Sequence, residues 1–238
     1  MTPPESFLTE VAALGVELSP AQLQALARFV ELLLEANQHT NLTAIRDVDT
    51  AWTRHVLDSL SLVPPLSSLR AGRVIDVGAG GGLPGLVLAV ALPHLDFTLV
   101  DATGKKVRHI AQTAEALGLD NVRALHARAE DLAGLHADGH ADHRERYDVA
   151  MARALAPMPV LAELVGPLVK VGGELLAIKG ERADEELAQA SGALSLIGLS
   201  LDASLRTTTG TVLRLRKTSA TPGRYPRRAG EPKRDPLR

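Results

Sequence analysis

Cysteine is absent from this 238-residue chain, so it forms no disulfide, builds no thiolate metal site and carries no cysteine nucleophile. Aromatic residues make up only 3%, which leaves few rings for stacking. No apolar run approaches the length of a membrane span, and the polar start Met1-Thr-Pro-Pro-Glu5 is no signal peptide, so a soluble cytoplasmic protein is expected. There is no internal repeat. The eight histidines show no metal-ligand spacing. His136, His140 and His143 cluster in a polar connector at 131–146 and read as solvated, so no metal is expected. An excess of charge is missing too, but the net of −2 hides an asymmetry. Residues 214–238 hold nine Lys/Arg against Glu231 and Asp235, a net of +7 that leaves −9 for the rest. A basic, proline-rich tail on a mildly acidic body suits an anionic partner. The same composition also fits a solvated, disordered end.

What is present divides into two patterns. The first sixty residues read as helical. Ser19-Pro20 with Gln22 has the form of a capping box with proline in the first turn. Leu23, Leu26, Ala27, Val30, Leu33 and Leu34 then recur at helical period. A loop follows around His39-Thr-Asn-Leu-Thr43, and a second helix over Thr50–Leu62 is ended by Pro64-Pro65. From Arg73 onward strands and helices alternate. Strands are expected at 73–77, 96–101, 121–125, 147–151, 173–178, 199–206 and 211–217, and helices at 84–92, 104–118, 157–169 and 182–196. That alternation predicts an α/β fold with a mostly parallel sheet covered on both faces. Thr207-Thr-Thr-Gly210 separates the last two strands by hairpin spacing, so an antiparallel edge is expected. With 45% hydrophobic residues the chain can fill one sizeable core plus an accessory segment. The expected division is a helical segment at 1–66, an α/β domain at 67–218 and a flexible basic tail at 219–238.

The most informative stretch is Arg73-Val-Ile-Asp-Val-Gly-Ala-Gly-Gly-Gly-Leu-Pro-Gly85. A short apolar strand runs into five glycines within eight residues, Gly78 to Gly85, and Pro84 precedes the apolar run Leu86–Leu92. Strand, glycine turn and helix make the start of a nucleotide-type cofactor site. Gly80-Gly-Gly82-Leu-Pro-Gly85 satisfies the dinucleotide pattern G-x-G-x-x-G, but two residues late. Asp76 lies within the strand end, where dinucleotide sites are usually apolar. An acid, a hydrophobe and Gly-x-Gly instead look like the first motif of S-adenosylmethionine (SAM) methyltransferases. SAM presents an ammonium and a carboxylate rather than a pyrophosphate, groups that Asp76 and the bare amides around Gly78 and Gly80 suit. Phe97-Thr-Leu-Val-Asp101 ends in an acid 23 residues after Gly78, the spacing at which a carboxylate accepts from ribose hydroxyls in either type of site. A parallel sheet ending in an antiparallel hairpin is the class I SAM methyltransferase arrangement.

Ligands of such sheets bind outside the carboxyl ends of the strands. Those ends carry Asp101 with Ala102, Thr103 and Lys105, then Arg128-Ala129-Glu130-Asp131, then Arg153, then Lys179. Glu130 could accept from an adenine amino group or simply cap a surface helix. Arg153 and Lys179 follow buried-looking strands and need partners there, either in the cleft or, for Arg153, at Asp76 or Glu130 and, for Lys179, at Glu181. Upstream, Arg54 and Asp58 are four apart and fit an exposed helical ion pair, while His55 and Asp58 would suit an oriented imidazole.

Together these pieces resemble the RsmG (GidB) family of bacterial methyltransferases acting on small-subunit ribosomal RNA. They are Asn41-Leu-Thr43, Arg54-His55 with Asp58-Ser59, Asp76 to Gly85 with its Leu-Pro-Gly, Asp101 with Lys105, Arg128-Ala-Glu130, Arg153-Ala154, Lys179-Gly180, and the tail from Thr221 to Pro232. One departure is Ala152, where the family often has serine. The resemblance implies methyl transfer from SAM to N7 of guanine 527 in 16S rRNA. It implies SAM contacts at Gly78, Leu83, Asp101–Thr103, Ala129-Glu130 and Arg153. Arg54, His55, Asp58, Arg153 and Lys179 become the candidates for positioning the substrate, with no residue assigned to proton transfer. The expected partner is 16S rRNA or the 30S particle, with no DNA and no membrane, and the protein is expected to be a monomer.

The chain's composition bears on this independently. Cytosine-C5 methylation needs a thiol, and there is none. Amino-group methylation commonly uses Asn/Asp-Pro-Pro-aromatic after the fourth strand, where Ala152-Arg-Ala-Leu-Ala-Pro157 stands. Guanine N7 has an available lone pair and needs only in-line placement. With so few aromatics, stacking on the target base would fall to arginine planes or to Trp52. Competing readings are an NAD(P)-dependent oxidoreductase, a non-catalytic rRNA-binding assembly factor with a SAM fold, and a methyltransferase for a small molecule or protein.

Overall fold

The computed structural model describes residues 1–135, 141–207 and 209–237. Its seven strands are β1 (Arg73–Val77), β2 (Asp96–Asp101), β3 (Val122–His126), β4 (Tyr147–Arg153), β5 (Val169–Lys179), β6 (Leu199–Arg206) and β7 (Thr211–Lys217). They form one sheet in the order β3-β2-β1-β4-β5-β7-β6. The pairs β1–β4, β2–β3 and β4–β5 are parallel, and β5–β7 and β6–β7 antiparallel. The expected α/β fold and its antiparallel edge are therefore present. The chain divides into two compact units, Met1–Gly72 with Ala79–His126, and Arg73–Gly78 with Ala127–Arg238.

In the first unit, the helix Pro20–Thr40 opens on the capping box read from the sequence. Ser19 N donates to Gln22 Oε1 at 2.9 Å and Gln22 N to Ser19 Oγ at 3.2 Å. The free end of Gln22 donates to the carbonyls of Val90 and Ala91 at 3.0 and 3.1 Å, satisfying acceptors left over at the end of the helix Gly85–Ala91. Leu26, Phe29, Val30, Leu33 and Asn37 form its buried stripe at helical spacing. The second expected helix runs from Val48 to Leu60, but Trp52–Leu57 is wound as a π-helix. The proline pair does not end the helical path. It sits in the first turn of Val63–Leu66, where a missing N–H is tolerated. Trp52 is fully buried with its ring edge-on to Phe7 at 4.7 Å, so it is a core residue and cannot stack on a base. The short helix Phe7–Ala13 that supplies Phe7 has only seven residues, too few to show a period.

In the second unit, β5 starts four residues earlier than expected, and the helix Met158–Val165 is correspondingly shorter. The extension is irregular. Register shifts between Tyr147 and Val149, and a Cβ at Gly173 would lie 2.6 Å from the Asp148 carbonyl. The helix expected at 182–196 is two helices, Ala183–Gln189 and Ser191–Ile197. No helix among the described residues is long and apolar enough to cross a membrane.

Candidate cofactor site

The first unit holds the glycine turn from Ala79 onward. Ala79 N donates to the Val100 carbonyl at 3.0 Å, so the turn continues the strand geometry before it curls. Gly80 (φ +57°) and Gly82 (φ +88°) adopt the left-handed conformation that glycine reaches without a Cβ penalty. Gly81 is needed for a different reason. A Cβ there would lie 2.7 Å from Leu33 Cδ1 and 3.4 Å from Leu42 Cβ. The N-terminal helix and the loop after it thus press directly on the turn.

Asp101, at the carboxyl end of β2, is 7% exposed. Its Oδ2 accepts from Gly80 N at 3.0 Å and its Oδ1 from Thr103 N at 2.8 Å. One carboxylate ties the glycine turn to the start of the helix Gly104–Ala116. Lys106 Nζ stands 4.0 Å from Oδ2, while Lys105 is exposed. Ala102 and Thr103 are exposed and Leu83 is buried. His109, not singled out from the sequence, is buried on that helix. Burial pushes its imidazole below the usual histidine value, against an opposing pull from the Gly81 backbone.

The accessory constellation closes around Asn37. Its Oδ1 accepts from Leu42 N at 2.7 Å and Thr43 N at 2.9 Å, fixing the loop Asn41-Leu-Thr43. Thr43 Oγ1 accepts from Ile45 N at 3.1 Å and lies 2.7 Å from His55 Nε2. His55 Nδ1 faces the Arg54 carbonyl at 3.1 Å, which can only accept, so Nδ1 carries a proton. His55 and Asp58 are 5% and 7% exposed, and Arg54 points to solvent.

The second unit holds the acid before the turn. Asp76 is fully buried in β1, in register with Met151 of β4. Gly78 and Arg153 lie at the carboxyl ends of these two strands. Gly78 has φ +79°, and a Cβ on it would lie 2.7 Å from Leu155 Cδ1. Arg153 is half-buried, and Ala154 after it has φ +52°, an unusual left-handed conformation for a residue with a Cβ. Lys179 braces the segment that follows. It donates to the Ala156 carbonyl at 2.5 Å and to Glu186 Oε2 at 2.8 Å, and the same oxygen accepts from Met158 N at 3.0 Å. Its partner is Glu186 rather than the neighbouring Glu181, and its ammonium group is committed inside the protein.

Ala129 and Glu130 open the helix Ala129–Ala133 and are buried. Glu130 is no surface cap. Its Oε1 accepts from Gly230 N at 3.1 Å, a bond spanning 100 residues. The tail that provides Gly230 makes several hydrogen bonds to the rest of the second unit. Arg227 donates through Nε and Nη2 to the two oxygens of Glu163 at 2.9 and 2.7 Å, and its backbone N adds a third bond at 2.9 Å. Arg144 holds the carbonyls of Thr221, Pro222 and Tyr225. Lys217, fully buried, donates to Ile197 O at 2.7 Å and to Thr221 Oγ1. His143 is half-buried with Nδ1 2.7 Å from the Tyr147 hydroxyl, a correction to its expected solvation, while His136 and His140 lie outside the described residues.

The profile described as rRNA small subunit methyltransferase G (GidB) matches residues 22–207. The chain belongs to this family. It is 39% identical over 244 residues to a ribosomal RNA small subunit methyltransferase G of Lactobacillus delbrueckii subsp. bulgaricus, covering 98% of this chain and 99% of that protein. It is 43% identical over 229 residues to that of Sorangium cellulosum, covering 96% and 93%. Among solved structures, a putative SAM-dependent methyltransferase of Methanococcus maripaludis superposes with a TM-score of 0.57 at 12% identity, covering 80% of this chain and 92% of that one. A SAM-dependent methyltransferase of Aquifex aeolicus gives 0.54 at 14%, covering 71% and 93%. At such identities these two establish the fold alone.

Proposed function

We propose that the protein transfers a methyl group from SAM to N7 of guanine 527 in 16S rRNA, acting in the cytoplasm as a monomer. The observation that carries the reading is near-full-length similarity to rRNA small subunit methyltransferase G in a chain that keeps Asp76, the glycine turn and Asp101. The residues fit SAM. Asp101 uses one acceptor position on each oxygen for Gly80 and Thr103, and an ionised carboxylate has about four, so capacity remains for two ribose hydroxyls. Cofactor contacts are assigned to Asp76, Gly78, Gly80, Leu83, Asp101, Ala102, Thr103, Ala129, Glu130 and Arg153.

Bound there, SAM supplies an electrophilic methyl on a sulfonium. The lone pair of guanine N7 would accept that methyl directly. No base is needed, so the chain's task is placement. Exposed Arg54 and half-buried Arg153 suit contact with RNA. His55 and Asp58, being buried, act by holding the loop and helix that carry Arg54. Lys179 acts through the Ala154–Ala156 segment.

The test is incubation with methyl-labelled SAM and either naked 16S rRNA or 30S subunits from cells lacking the protein, followed by nucleoside mapping. Label at a single 7-methylguanosine is expected, and the better substrate of the two identifies the natural one. SAM binding without labelled RNA would overturn the substrate assignment. Binding of NAD(P) in place of SAM would overturn the cofactor.

A further inference from the structure

The basic tail, whose charge suits an anionic partner, forms a groove in the second unit. Four of the cations in 214–238 serve the fold: Arg227 against Glu163, Lys217 in the core, and Arg214 and Arg216 against Glu174 in the sheet. Arg224, Arg228, Lys233 and Arg234 are exposed. A groove of about 440 Å³ is lined by Leu135, Gly223, Arg224, Pro226, Arg228 and Glu231 together with the paired Arg227. Arg224 and Arg228 are exposed, and neither makes an ion pair among the described residues. The Arg224 guanidinium lies over the Tyr225 ring, 5.0 Å from its centre, and Tyr225 is buried. Lys233 and Arg234, also exposed, follow on the next turn.

We propose that this groove is a preformed seat for the phosphodiester backbone of the RNA substrate, with Arg224 and Arg228 as its two phosphate forks. The inference rests on the function proposed above and adds where on the chain the RNA is held. A guanidinium presents a planar pair of donors that matches two phosphate oxygens, which favours phosphate over a diffuse acidic surface. Glu231 lowers the charge of the groove without cancelling it, since two unpaired guanidinium groups face one carboxylate. Leu135, 57% exposed, with Gly223 and Pro226 offers the apolar surface that a ribose or base face needs beside its phosphate. The bonds from Arg144, Glu163 and Glu130 hold the tail backbone in place before RNA arrives, so little ordering entropy opposes binding.

The experiment is equilibrium binding of in vitro transcribed 16S rRNA to the full-length protein as a function of salt. Each phosphate contact contributes about 0.7 to the log–log slope for single-stranded RNA. Arg224→Ala/Arg228→Ala is expected to flatten the slope by about 1.4 and to weaken binding about 25-fold at 0.1 M relative to 1 M salt. The control Arg70→Ala/Arg123→Ala removes the same charge from exposed arginines elsewhere and is expected to have under half that effect. Arg224→Lys/Arg228→Lys is expected to keep the slope while losing affinity, because the charge stays and the fork is lost. Unchanged melting and SAM affinity verify that the variants fold. Equal effects of the tail pair and the control pair, or no effect of the tail pair, would overturn the inference while the methyltransferase reading stands. Wild-type protein that neither binds nor methylates RNA would overturn both.

Discussion

Replacing Arg227 by methionine should cost the protein far more than an ordinary tail substitution. Glu163 is 0% exposed, and three hydrogen bonds from Arg227 compensate its charge. Arg227→Met removes the two charged bonds and leaves one backbone N–H against a carboxylate enclosed by the helix Met158–Val165 and the tail. Removing one partner of a buried pair typically costs about 3–5 kcal/mol, because the remaining ion is uncompensated. The loss is capped by detachment of the tail, which would let water reach Glu163. For a chain of this size, about 2–4 °C accompany each kcal/mol, so the melting temperature should fall by about 6–20 °C. Urea unfolding gives the free energy, and limited trypsin digestion at Arg224 and Arg228 reports tail release directly. Glu163→Gln combined with Arg227→Met should recover at least half of the loss, since no ion then remains buried. A loss below about 1 kcal/mol for Arg227→Met, with unchanged protease resistance, would refute the view that this pair locks the tail.

Gly81→Ala should destabilise by about 1–3 kcal/mol and raise the KM for SAM, and Leu33→Ala in the same chain should return part of the SAM affinity by making room for the new Cβ. Lys217 supplies a pH signature. Burial lowers its pKa to about 8, opposed by Glu145 and reinforced by Arg144. Between pH 8 and the unfolded value of 10.5 the unfolded chain holds a proton that the native chain has released, so stability should rise with pH by roughly 3 kcal/mol across that window, and Lys217→Met should abolish the rise in urea titrations. Lys179→Met should lower kcat for RNA methylation by up to about 100-fold with little change in SAM affinity, because it loosens the Ala156 carbonyl beyond Arg153. Thr43→Val should cost about 1–3 kcal/mol by removing the hydroxyl that faces His55 Nε2 and accepts from Ile45 N, read by thermal melting.

Much of this architecture is readable as local pattern. Short apolar runs bounded by turn residues locate all seven strands, because both signals are properties of neighbouring residues. Ser19-Pro20 with Gln22 specifies its own helix start, because a capping box closes within four residues. The glycines of 78–85 and Asp101 carry the cofactor motif for the same reason: turn geometry depends on which residues lack a Cβ, and Asp101 closes on Gly80 at the usual spacing. The lack of cysteine excludes thiolate chemistry whatever the fold.

Tertiary structure decided the partners. Trp52 reads as a stacking candidate in a chain poor in aromatics, and only its packing on Phe7 makes it core. Lys179 looks like a cleft cation until folding brings Glu186 and the Ala156 carbonyl to it. The tail looks solvated because its charges are dense, yet its anchors lie at Glu163, 64 residues away, and Glu130, 100 residues away. His109 shows no motif at all, because its burial depends on how helix and turn pack. Periodicity and motif spacing encode which backbone each segment adopts. They do not encode which distant group compensates a buried charge, because that is settled only when desolvation in the folded chain makes an unpaired ion too costly to keep.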